Sequence, residues 1–389
     1  MRLITRRRAS GMIASLLPTI ASAQVAPLRP PAPNADDTWT IPNREKVNAG
    51  TVTIITAPAG GATSIFGSDM ARVLDDDQKQ LRILPILGKG PVRNVVDILY
   101  LKAIDMGAVT AEVPEFYRLQ YGIPDIASRL RYIAKLYNNE VHVVARSNVK
   151  SIFDLEGKRV VAQTDVGYYS AKVIFTRLGI NAIFDNRTDD AAAIQKIADG
   201  NVDAYIGSTG KVFGLLRNVK NEDRSLHLAA IPYDKRLQDM YLPTKLTSDD
   251  YPNLLPAGES VDTVATSVLL ASFNWPEKTE RYNRVARFVD AFFSHIDEFH
   301  KPPRHPKWKE SSISIVVPGW PRFKGAQDWL DANSAKANSA KPNSAKASAQ
   351  TPTEPAADFI RFLERSGRRN LTPDEKEKLY QQFLEWSKK

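Results

Sequence analysis

Residues 51–74 read TVTIITAPAGGATSIFGSDMARVL, a short β-rich run followed by a turn and then a helical pattern. The turn contains Gly60 and Gly61, and residues without a Cβ atom let backbone amides approach a ligand closely. The start of a helix adds unpaired N–H donors and a partial positive charge, which suit a carboxylate or another anion. The stretch therefore predicts a strand–turn–helix unit that either binds an anion or forms a tight turn without a ligand.

The helical half of this stretch has a start signal and an apolar face. Thr63 or Ser64 is predicted to cap the helix, because a hydroxyl oxygen accepts a hydrogen bond from one of the first free backbone N–H groups. The apolar side chains that a helical period places on one face are Ile65, Phe66, Met70, Val73 and Leu74.

The composition is that of a globular protein without a nucleic-acid partner. The chain has 389 residues, enough for two domains of ordinary size. Its 43% hydrophobic and 25% charged content is typical of soluble proteins. The net charge is +9, and without the four arginines of the first eight residues it is 9 − 4 = +5, a mild basic balance. No basic cluster with interleaved aromatics indicates a nucleic-acid-binding face. The sequence has no cysteine, which excludes disulfides and thiolate metal sites.

The N-terminus has the features of a secretory signal. Four arginines precede a short apolar run, and residues 21–23 (Ala-Ser-Ala) form a small-residue cleavage site. We predict a signal peptide at 1–23 and a proline-rich linker at 24–47; the alternative for the first segment is a disordered basic arm. No later run approaches the about 18 apolar residues that span a membrane. An exported, soluble protein is expected.

From Gly50 onward, short apolar runs alternate with helical patterns, which predicts βα units and a largely parallel sheet. A long apolar stripe predicts one core-packed helix over 276–299. The repeated Asn-Ser-Ala-Lys motif predicts a flexible linker at 333–355, because this composition cannot bury apolar surface. Two short amphipathic patterns predict a helical tail at 356–389.

No catalytic constellation is present in the sequence. It contains neither a Gly-x-Ser-x-Gly elbow nor a His-Glu-x-x-His pair. His142 and His227 lie in strand-like runs and are predicted to be structural. The segment 207–211 fails the phosphate-loop pattern, which needs glycine where Tyr205 stands. We therefore predict a non-enzyme without catalytic residues, metal or cofactor.

Several small-residue loops follow predicted strands, and open α/β sheets bind ligands at the carboxyl ends of their strands. Their backbone amides, hydroxyls, two tyrosines and three cations predict a site for a small anion. Residues 167–170 are expected in a turn, and Lys211 is expected to open a helix. The candidate ligand-binding residues are Gly60, Gly61, Ala62, Thr63, Ser64, Lys89, Arg93, Asn94, Thr110, Gly167, Tyr168, Tyr169, Ser170, Ser208, Thr209 and Lys211.

Segments spread over roughly residues 48–330 resemble the TAXI solute-binding proteins of TRAP transporters, which have the type 2 periplasmic binding protein fold. The most specific segments are Tyr137–Arg146 and Ser151–Val160. The others are Ala59–Thr63, Gly88–Asn94, Ile104–Val109, Asp199–Ala204, and Tyr251 and Pro252 together with Val264–Leu270.

The resemblance implies an α/β fold with two lobes, mostly parallel sheets and two crossover hinge strands at Val141–Ala145 and Val264–Leu270. It implies lobe I at 48–142 and 266–332, and lobe II at 143–265. It further implies a periplasmic receptor that closes on a small organic anion, such as a dicarboxylate or glutamate, and delivers it to a TRAP permease.

The sequence departs from the family in two loops. Ile65 and Phe66 follow the first glycine loop where a tyrosine is common, and Tyr168 and Tyr169 replace a turn of small residues. The identity of the ligand is therefore not carried over. The alternative hypothesis is a ligand-binding module that docks on a membrane sensor or scaffold through its tail helices. An exported enzyme is disfavoured because no nucleophile–base pair is present. The sequence indicates no oligomeric state.

Overall fold

The computed structural model describes residues 48, 50–75, 81–162, 166–185 and 188–339. The predicted signal peptide (1–23), proline-rich linker (24–47) and helical tail (356–389) lie outside the described residues. The chain divides into two units, Met1–Trp329 and Leu330–Lys389, and the sheet belongs to the first.

The strands and helices alternate along most of the chain. The strands of the described residues are β1 (Thr51–Ile55), β2 (Arg82–Ile86), β3 (Met106–Thr110), β4 (Leu130–Arg146), β5 (Arg159–Ala162), β6 (Ile183–Asp185), β7 (Ala204–Thr209), β8 (Leu226–Leu228), β9 (Leu242–Thr247) and β10 (Ser260–Phe273). The α-helices are α1 (Ala62–Leu74), α2 (Pro91–Tyr100), α3 (Val113–Tyr121), α4 (Ile126–Arg129), α5 (Val166–Leu178), α6 (Asp190–Ala198), α7 (Gly214–Arg217), α8 (Glu280–Ser294), α9 (Ile296–Phe299) and α10 (Lys324–Ser339).

The strands form one sheet in the order β2-β1-β3-β10-β4-β7-β5-β6. Each end of this order is a parallel set, because β1 pairs in parallel with β2 and β3, and β5 pairs in parallel with β6 and β7. The central strands β4 and β10 run antiparallel to each other and to their outer neighbours. Strand β8 adds to β4, and β9 adds to β10.

The two central strands, 17 and 14 residues long, pass through both halves of the sheet. Up to Glu140, β4 pairs with β10, and from Glu140 onward it pairs with β7 and β8. Strand β10 pairs first with β9 and then with β3 and β4. Lobe I is thus built on β2-β1-β3 and lobe II on β7-β5-β6. The predicted two-lobed α/β fold with two crossover strands is confirmed.

Close packing between strands fixes the edge of lobe I where the loops gather. Strand β3 is buried along its whole length, as expected for a strand covered on both faces. A Cβ on Gly107 would lie 2.3 Å from Ile55 Cγ2 and 2.9 Å from Ile55 O, so only glycine lets β3 approach β1 this closely. The loops that follow β1 and β3 are therefore held side by side.

The start of α1 differs from the prediction. The helix begins at Ala62 with Gly61 as its N-cap, and no side chain caps it. Thr63 Oγ1 instead accepts a hydrogen bond from Ala57 N, and the Ser64 hydroxyl donates to Gly61 O. Both hydroxyls are thus used to fold the loop. Ile65 is 40% exposed, because it lies beside the buried face rather than within it.

Lobe II differs from the prediction in two segments. Residues 167–170 are not a turn: they form the first turns of α5, where Tyr168 and Tyr169 pack against aromatic rings. Lys211 does not open a helix, because residues 207–209 belong to β7 and α7 begins only at Gly214. The Lys211 N–H is held instead by Glu140 Oε2 at 2.6 Å.

Two differences concern the C-terminal helices. The helix predicted over 276–299 is two helices, α8 and α9, separated at His295, whose Nδ1 bonds to Ala291 O. Helix α10 continues to Ser339, so the first residues of the predicted linker at 333–355 are helical. Alanine and lysine in the repeat have high helix propensity, so the same composition is compatible with a helix as well as with a flexible linker.

Candidate functional site

A cavity of about 260 Å³ lies between the loops that follow β1, β2 and β3 and the facing edge of lobe II. Both lobes and both crossover strands contribute to its wall. The lining residues are Ala57, Pro58, Ala59, Gly61, Ala62, Thr63, Gly90, Pro91, Asn94, Ala108, Val109, Thr110, Tyr137, Asn139, Val166, Ser208, Thr209 and Val268. The cavity therefore occupies the carboxyl ends of the parallel strands, as the sequence predicts for a ligand site.

Three helices begin at the wall of this cavity. Ala62 opens α1, Pro91 opens α2 and Val166 opens α5, and all three residues line the cavity. The first N–H groups of a helix have no acceptor within the helix, and the aligned peptide dipoles place partial positive charge at this end. The starts of α1 and α5 thus place such donors beside the cavity, whereas Pro91 has no N–H to add, and no charged side chain appears among the described lining residues.

The loop before α1 is held by its own hydrogen bonds. Ala57 N donates to Thr63 Oγ1 at 2.8 Å, and Gly61 N donates to Pro58 O at 3.1 Å. Gly60 has φ +84°, a left-handed conformation that favours glycine. This loop fixes the direction in which the first N–H groups of α1 point.

Asn94 ties the loops of lobe I together beside the cavity. Its Nδ2 donates to Thr56 O at 3.0 Å and to Ala108 O at 2.8 Å, which joins the ends of β1 and β3. Its Oδ1 is buried and has no hydrogen-bond partner among the described residues. Asn94 is therefore mainly a structural residue that holds two loops together at the wall of the cavity.

The structure brings part of the predicted site together. The predicted residues that line the cavity are Gly61, Ala62, Thr63, Asn94, Thr110, Ser208 and Thr209. The predicted residues that do not line it are Gly60, Ser64, Lys89, Arg93, Gly167, Tyr168, Tyr169, Ser170 and Lys211. The neutral loop residues of lobe I are thus gathered, whereas the cations and tyrosines lie elsewhere.

None of the three predicted cations is among the described lining residues of the cavity. Lys89 is exposed, and the Arg93 side chain is 59% exposed and lies 3.3 Å from Asp97. Lys211 Nζ donates to the carbonyl of Lys245 at 3.2 Å and lies 3.9 Å from Asp250. No charged side chain appears in the described lining. Arg93 points outward because the opposite face of α2 is the apolar one that packs into the core.

The two tyrosines of α5 are packing residues. The ring centroids of Tyr169 and Phe116 of α3 are 4.6 Å apart, and those of Tyr168 and Phe184 are 6.0 Å apart. Since α3 belongs to lobe I and α5 to lobe II, the Phe116–Tyr169 contact joins the lobes. It lies outside the described lining of the cavity.

A buried carboxylate that the sequence analysis missed lies at the same junction. Glu112 is fully buried; its Oε1 accepts from the Ser170 hydroxyl at 2.8 Å, and its Oε2 accepts from the Thr266 hydroxyl. Ser170 Oγ lies 3.0 Å from Ser208 Oγ. Burial raises the pKa of Glu112, and the hydroxyl donors oppose part of that rise. The sequence signal for a buried carboxylate was an acidic residue between the apolar residues Ala111 and Val113, directly after β3.

A second buried carboxylate lies where β4 passes between the lobes. Lys307 Nζ lies 3.3 Å from both carboxylate oxygens of Glu140 and 2.8 Å from Glu310 Oε1. Burial raises the pKa of Glu140, and the charge of Lys307 counteracts this rise. These ion pairs hold β4, at the point where it crosses between the lobes, to the segment that contains Lys307 and Glu310.

The histidines have structural surroundings. His142 Nε2 is hydrogen-bonded to Tyr251 Oη at 2.7 Å, and burial lowers the pKa of His142 to about 3, so its ring is neutral. His227 Nε2 bonds to Val149 O at 2.7 Å. Within the described part of the chain, no group of three or more acidic or histidine side chains is placed to hold a metal. The same residues include no helix long and apolar enough to cross a bilayer.

Comparisons with solved structures give low identities. The chain is similar to Rpa4515 of R. palustris with adipate, at 15% identity over 74% of this chain and 95% of that one, with a TM-score of 0.39. It is also similar to the amino acid ABC transporter substrate-binding protein AbpA of Streptococcus pneumoniae bound to L-arginine. That match has 13% identity, 72% and 98% coverage, and a TM-score of 0.35. At such scores neither likeness indicates a ligand for this chain.

The family comparison covers the region that contains the cavity. No curated protein sequence matches the chain. The model of the NMT1-like family matches residues 54–272, which run from within β1 into β10 and include the described lining residues of the cavity. Because this match spans more than half of the sequence, the chain belongs to the NMT1-like family.

Proposed function

We propose that the chain is a periplasmic receptor that captures a small organic anion between its lobes and delivers it to a TRAP-type membrane permease. One observation carries the proposal: three helix starts converge on a single cavity lined by hydroxyls and amides from both lobes. Helix starts bind anions through backbone N–H groups and the helix dipole. The resemblance to TAXI proteins supplies the permease class.

The lining suggests how the anion is held. Ala62 and Thr63 supply N–H groups at the start of α1, and charge-assisted hydrogen bonds to a carboxylate are stronger than neutral ones. Apolar side chains at Pro91, Val109 and Val268 border the remaining space. A carboxylate head at the helix starts and a short hydrocarbon body against these side chains would match this polarity.

Closure would follow from contacts with both lobes. A solute that touches Thr63 in lobe I and Thr209 in lobe II stabilises the closed arrangement more than an open one. Hinge closure about a few backbone segments is a common response of two-lobed proteins, and here β4 and β10 connect the lobes. The permease would then distinguish loaded from empty receptor by its lobe arrangement.

Ligand capture is tested by thermal unfolding of the full chain against organic acids, amino acids and sugars. A ligand at a hundred times its dissociation constant adds about 2.7 kcal/mol to the free energy of unfolding, which gives a readable rise in Tm. We expect hits among small carboxylates. Hits confined to sugars would contradict the proposal.

The role of the helix start is tested by Ala62→Pro. Proline is tolerated at the first position of a helix, and Gly61 already has the extended conformation that proline requires before it. The change removes one N–H from the cavity wall, and we expect affinity for a carboxylate to fall about tenfold, as for loss of a charge-assisted bond. Glu280→Pro, at the first position of α8 away from the cavity, is the matched control.

Delivery is tested in liposomes that contain a TRAP permease and the labelled carboxylate found in the unfolding screen. Uptake that requires the wild-type chain and falls with Ala62→Pro supports the receptor role. Uptake that is unchanged without the chain, or chemical turnover of the carboxylate by the chain alone, rejects it.

A further inference from the structure

Two polar side chains of the crossover strand β4 line the candidate cavity. Tyr137 and Asn139 are only 4% and 6% exposed, and both belong to the cavity lining. Residues two apart in a strand point to the same face of a sheet, which agrees with their common position. Val268 of β10 pairs with Tyr137 and also lines the cavity. The two crossover strands therefore form a wall of the cavity that carries a phenol and a carboxamide.

The polar ends of these two side chains have no partner within the described part of the chain. Neither the Tyr137 hydroxyl nor the Asn139 carboxamide forms a hydrogen bond with another described residue. Neither group is fully enclosed, so the small accessible part of each side chain includes its polar end. Burying polar groups without hydrogen bonds destabilises a fold, and such groups in a native protein need an explanation. A ligand that bonds to both of them supplies one.

The Tyr137 ring is held in place although its hydroxyl is not bonded. The centroid of the Phe66 ring of α1 lies 5.0 Å from that of Tyr137, and Lys307 Nζ lies 5.8 Å from the Tyr137 centroid. Burial, and then the charges of Glu140 and Glu310, raise the pKa of Tyr137. The phenol therefore keeps its proton at neutral pH and offers one donor as well as acceptor lone pairs.

The donors and acceptors of this wall discriminate between the polar groups that a ligand could carry. The Tyr137 hydroxyl and the Asn139 carboxamide can each donate and accept. A hydroxyl on the ligand also does both, so it can accept from one of these side chains and donate to the other. An ammonium group only donates, which leaves the Tyr137 proton and the Asn139 NH₂ group without an acceptor.

A second carboxylate on the ligand is disfavoured at the same wall. None of the described lining residues carries a charge, so this group would have no cationic partner in the lining. The charges of Glu140 and Glu310 that raise the pKa of Tyr137 also act against a further anion beside its hydroxyl. Lys307 already pairs with these two glutamates, at 3.3 Å and 2.8 Å.

We infer that the ligand is a hydroxy monocarboxylate, and that Tyr137 and Asn139 determine this selectivity by bonding its hydroxyl group. The inference rests on the proposed capture of a small organic anion and names its substrate class. The carboxylate is bound at the helix starts, and the hydroxyl is bound at β4. The cavity of about 260 Å³ is smaller than the roughly 300–1,000 Å³ of most ligand pockets, which fits an acid of a few carbons.

The experiment measures the dissociation constants of four-carbon acids by isothermal titration of the full chain at neutral pH. The probes are 2-, 3- and 4-hydroxybutyrate, butyrate, 4-aminobutyrate and succinate. We expect one hydroxybutyrate to bind at least about tenfold more tightly than the last three acids, because a site built to bond a hydroxyl rejects analogues that lack it.

The outcomes separate this inference from the proposed function. If butyrate, 4-aminobutyrate or succinate binds as tightly as the best hydroxybutyrate, anion capture stands and the inference is overturned. If none of the acids binds, the proposed function and the inference fail together. A preference for one hydroxybutyrate supports both.

Two variants test the roles of the side chains. Tyr137→Phe removes the hydroxyl and keeps the ring, so the preference for the best hydroxybutyrate over butyrate should fall about three- to tenfold, the range for one neutral hydrogen bond. Butyrate itself should bind no more weakly than to the wild type. Asn139→Ala should reduce the same preference, whereas Asn138→Ala, next to it on β4 but outside the described lining, should retain it. Equal losses of affinity for both acids in Tyr137→Phe would indicate a structural role and overturn the inference.

A ligand-free measurement tests whether the Tyr137 hydroxyl is unused by the fold. Tyr132→Phe, on the same strand, loses the hydrogen bond from its hydroxyl to Ile315 O at 3.0 Å and should have a lower Tm than the wild type. Tyr137→Phe loses no such bond, so its Tm should be unchanged or higher. A fall in Tm as large as that of Tyr132→Phe would show that the Tyr137 hydroxyl has a structural partner, and would overturn the inference.

Discussion

Glu112 and Glu140 are two buried glutamates at the junction of the lobes, and they differ in what surrounds them. The carboxylate of Glu140 receives the Lys307 ammonium at 3.3 Å and the backbone N–H of Lys211 at 2.6 Å. The carboxylate of Glu112 contacts hydroxyl groups from Ser170 and Thr266. Burial is the first cause of a raised pKa at both sites, but a cation counteracts it only at Glu140.

The difference separates a structural charge from a responsive one. Lys307 also bonds to Glu310 Oε1 at 2.8 Å and to Asn138 O at 3.2 Å, so the charges around Glu140 are held in one arrangement. Around Glu112 both partners are neutral hydroxyls, which donate to the charged carboxylate, and either of them can accept from it once it is protonated. The same side chain therefore stiffens the crossover at one position and can change its protonation at the other.

The largest expected effect comes from Lys307→Met. The change leaves the Glu140 carboxylate buried without its cation, and breaking a buried pair on one side costs about 3–5 kcal/mol of unfolding free energy. Chemical denaturation at neutral pH measures this loss. Lys301→Met, which breaks the exposed Lys301–Glu298 pair, is the control and should change stability by less than about 1 kcal/mol. Similar losses in both variants would show that the buried Lys307–Glu140 pair contributes no more to stability than an exposed pair.

The pH dependence of Lys307→Met sharpens the same comparison. Without the lysine, the pKa of Glu140 in the folded state rises further, because the charge that lowered it is gone. Protonation then removes the unpaired charge as the pH falls. We expect the stability difference between variant and wild type to shrink on acidification, measured by urea unfolding at a series of pH values. A constant difference would point to lost packing of the lysine stem instead.

Glu112→Gln should have a smaller effect, with a sign that depends on pH. The folded pKa of Glu112 lies above its ordinary value of 4.5, so its contribution to stability is fully present below the unfolded pKa and is lost as the pH rises through the folded pKa. Relative to the wild type, the variant should gain at most about 1.4 kcal/mol per pH unit across that window. A difference that does not vary with pH would show that the pKa of Glu112 is the same in the folded and unfolded states.

The smallest effects are expected from Lys89→Ala and Arg93→Ala. Both side chains are exposed and outside the cavity lining, so stability should change by no more than about 0.5 kcal/mol. Carboxylate binding should be equally unaffected, in contrast to Ala62→Pro. A clear loss of binding in either variant would mean that a cation reaches the ligand after all.

The sequence predicted the positions of loops better than the directions of side chains. The turn after β1 was identifiable because glycine, proline and hydroxyl residues act locally, and the alternation of strand and helix located the edge where loops gather. Whether Arg93 faces the ligand depends on the rotation of α2. Its apolar stripe contained that information, because Val92 and Val95 lie on the buried face and Arg93 beside them is exposed.

The features that the sequence did not predict depend on contacts between distant segments. Glu112 and Ser170 are far apart in sequence, and only the packing of α3 on α5 makes them partners. Tyr169 was expected at a ligand and instead packs on Phe116 for the same reason. The pairing of Glu140 with Lys307 likewise joins β4 to a segment near the end of lobe I. No local propensity encodes such pairs.

The pairing of β4 with β10 has a consequence for how the chain acquires its structure. Strands β5 to β9 lie between β4 and β10 in the sequence, so these two central strands cannot pair until the chain has been synthesised as far as Phe273. Long-range strand pairing of this kind is slow, because the loop-closure entropy is lost before the contacts form. The pairing of β10 with β3 and β4 should therefore be a late step of folding. Until it occurs, β3 of the nascent chain should lack the neighbour that it has in the finished sheet.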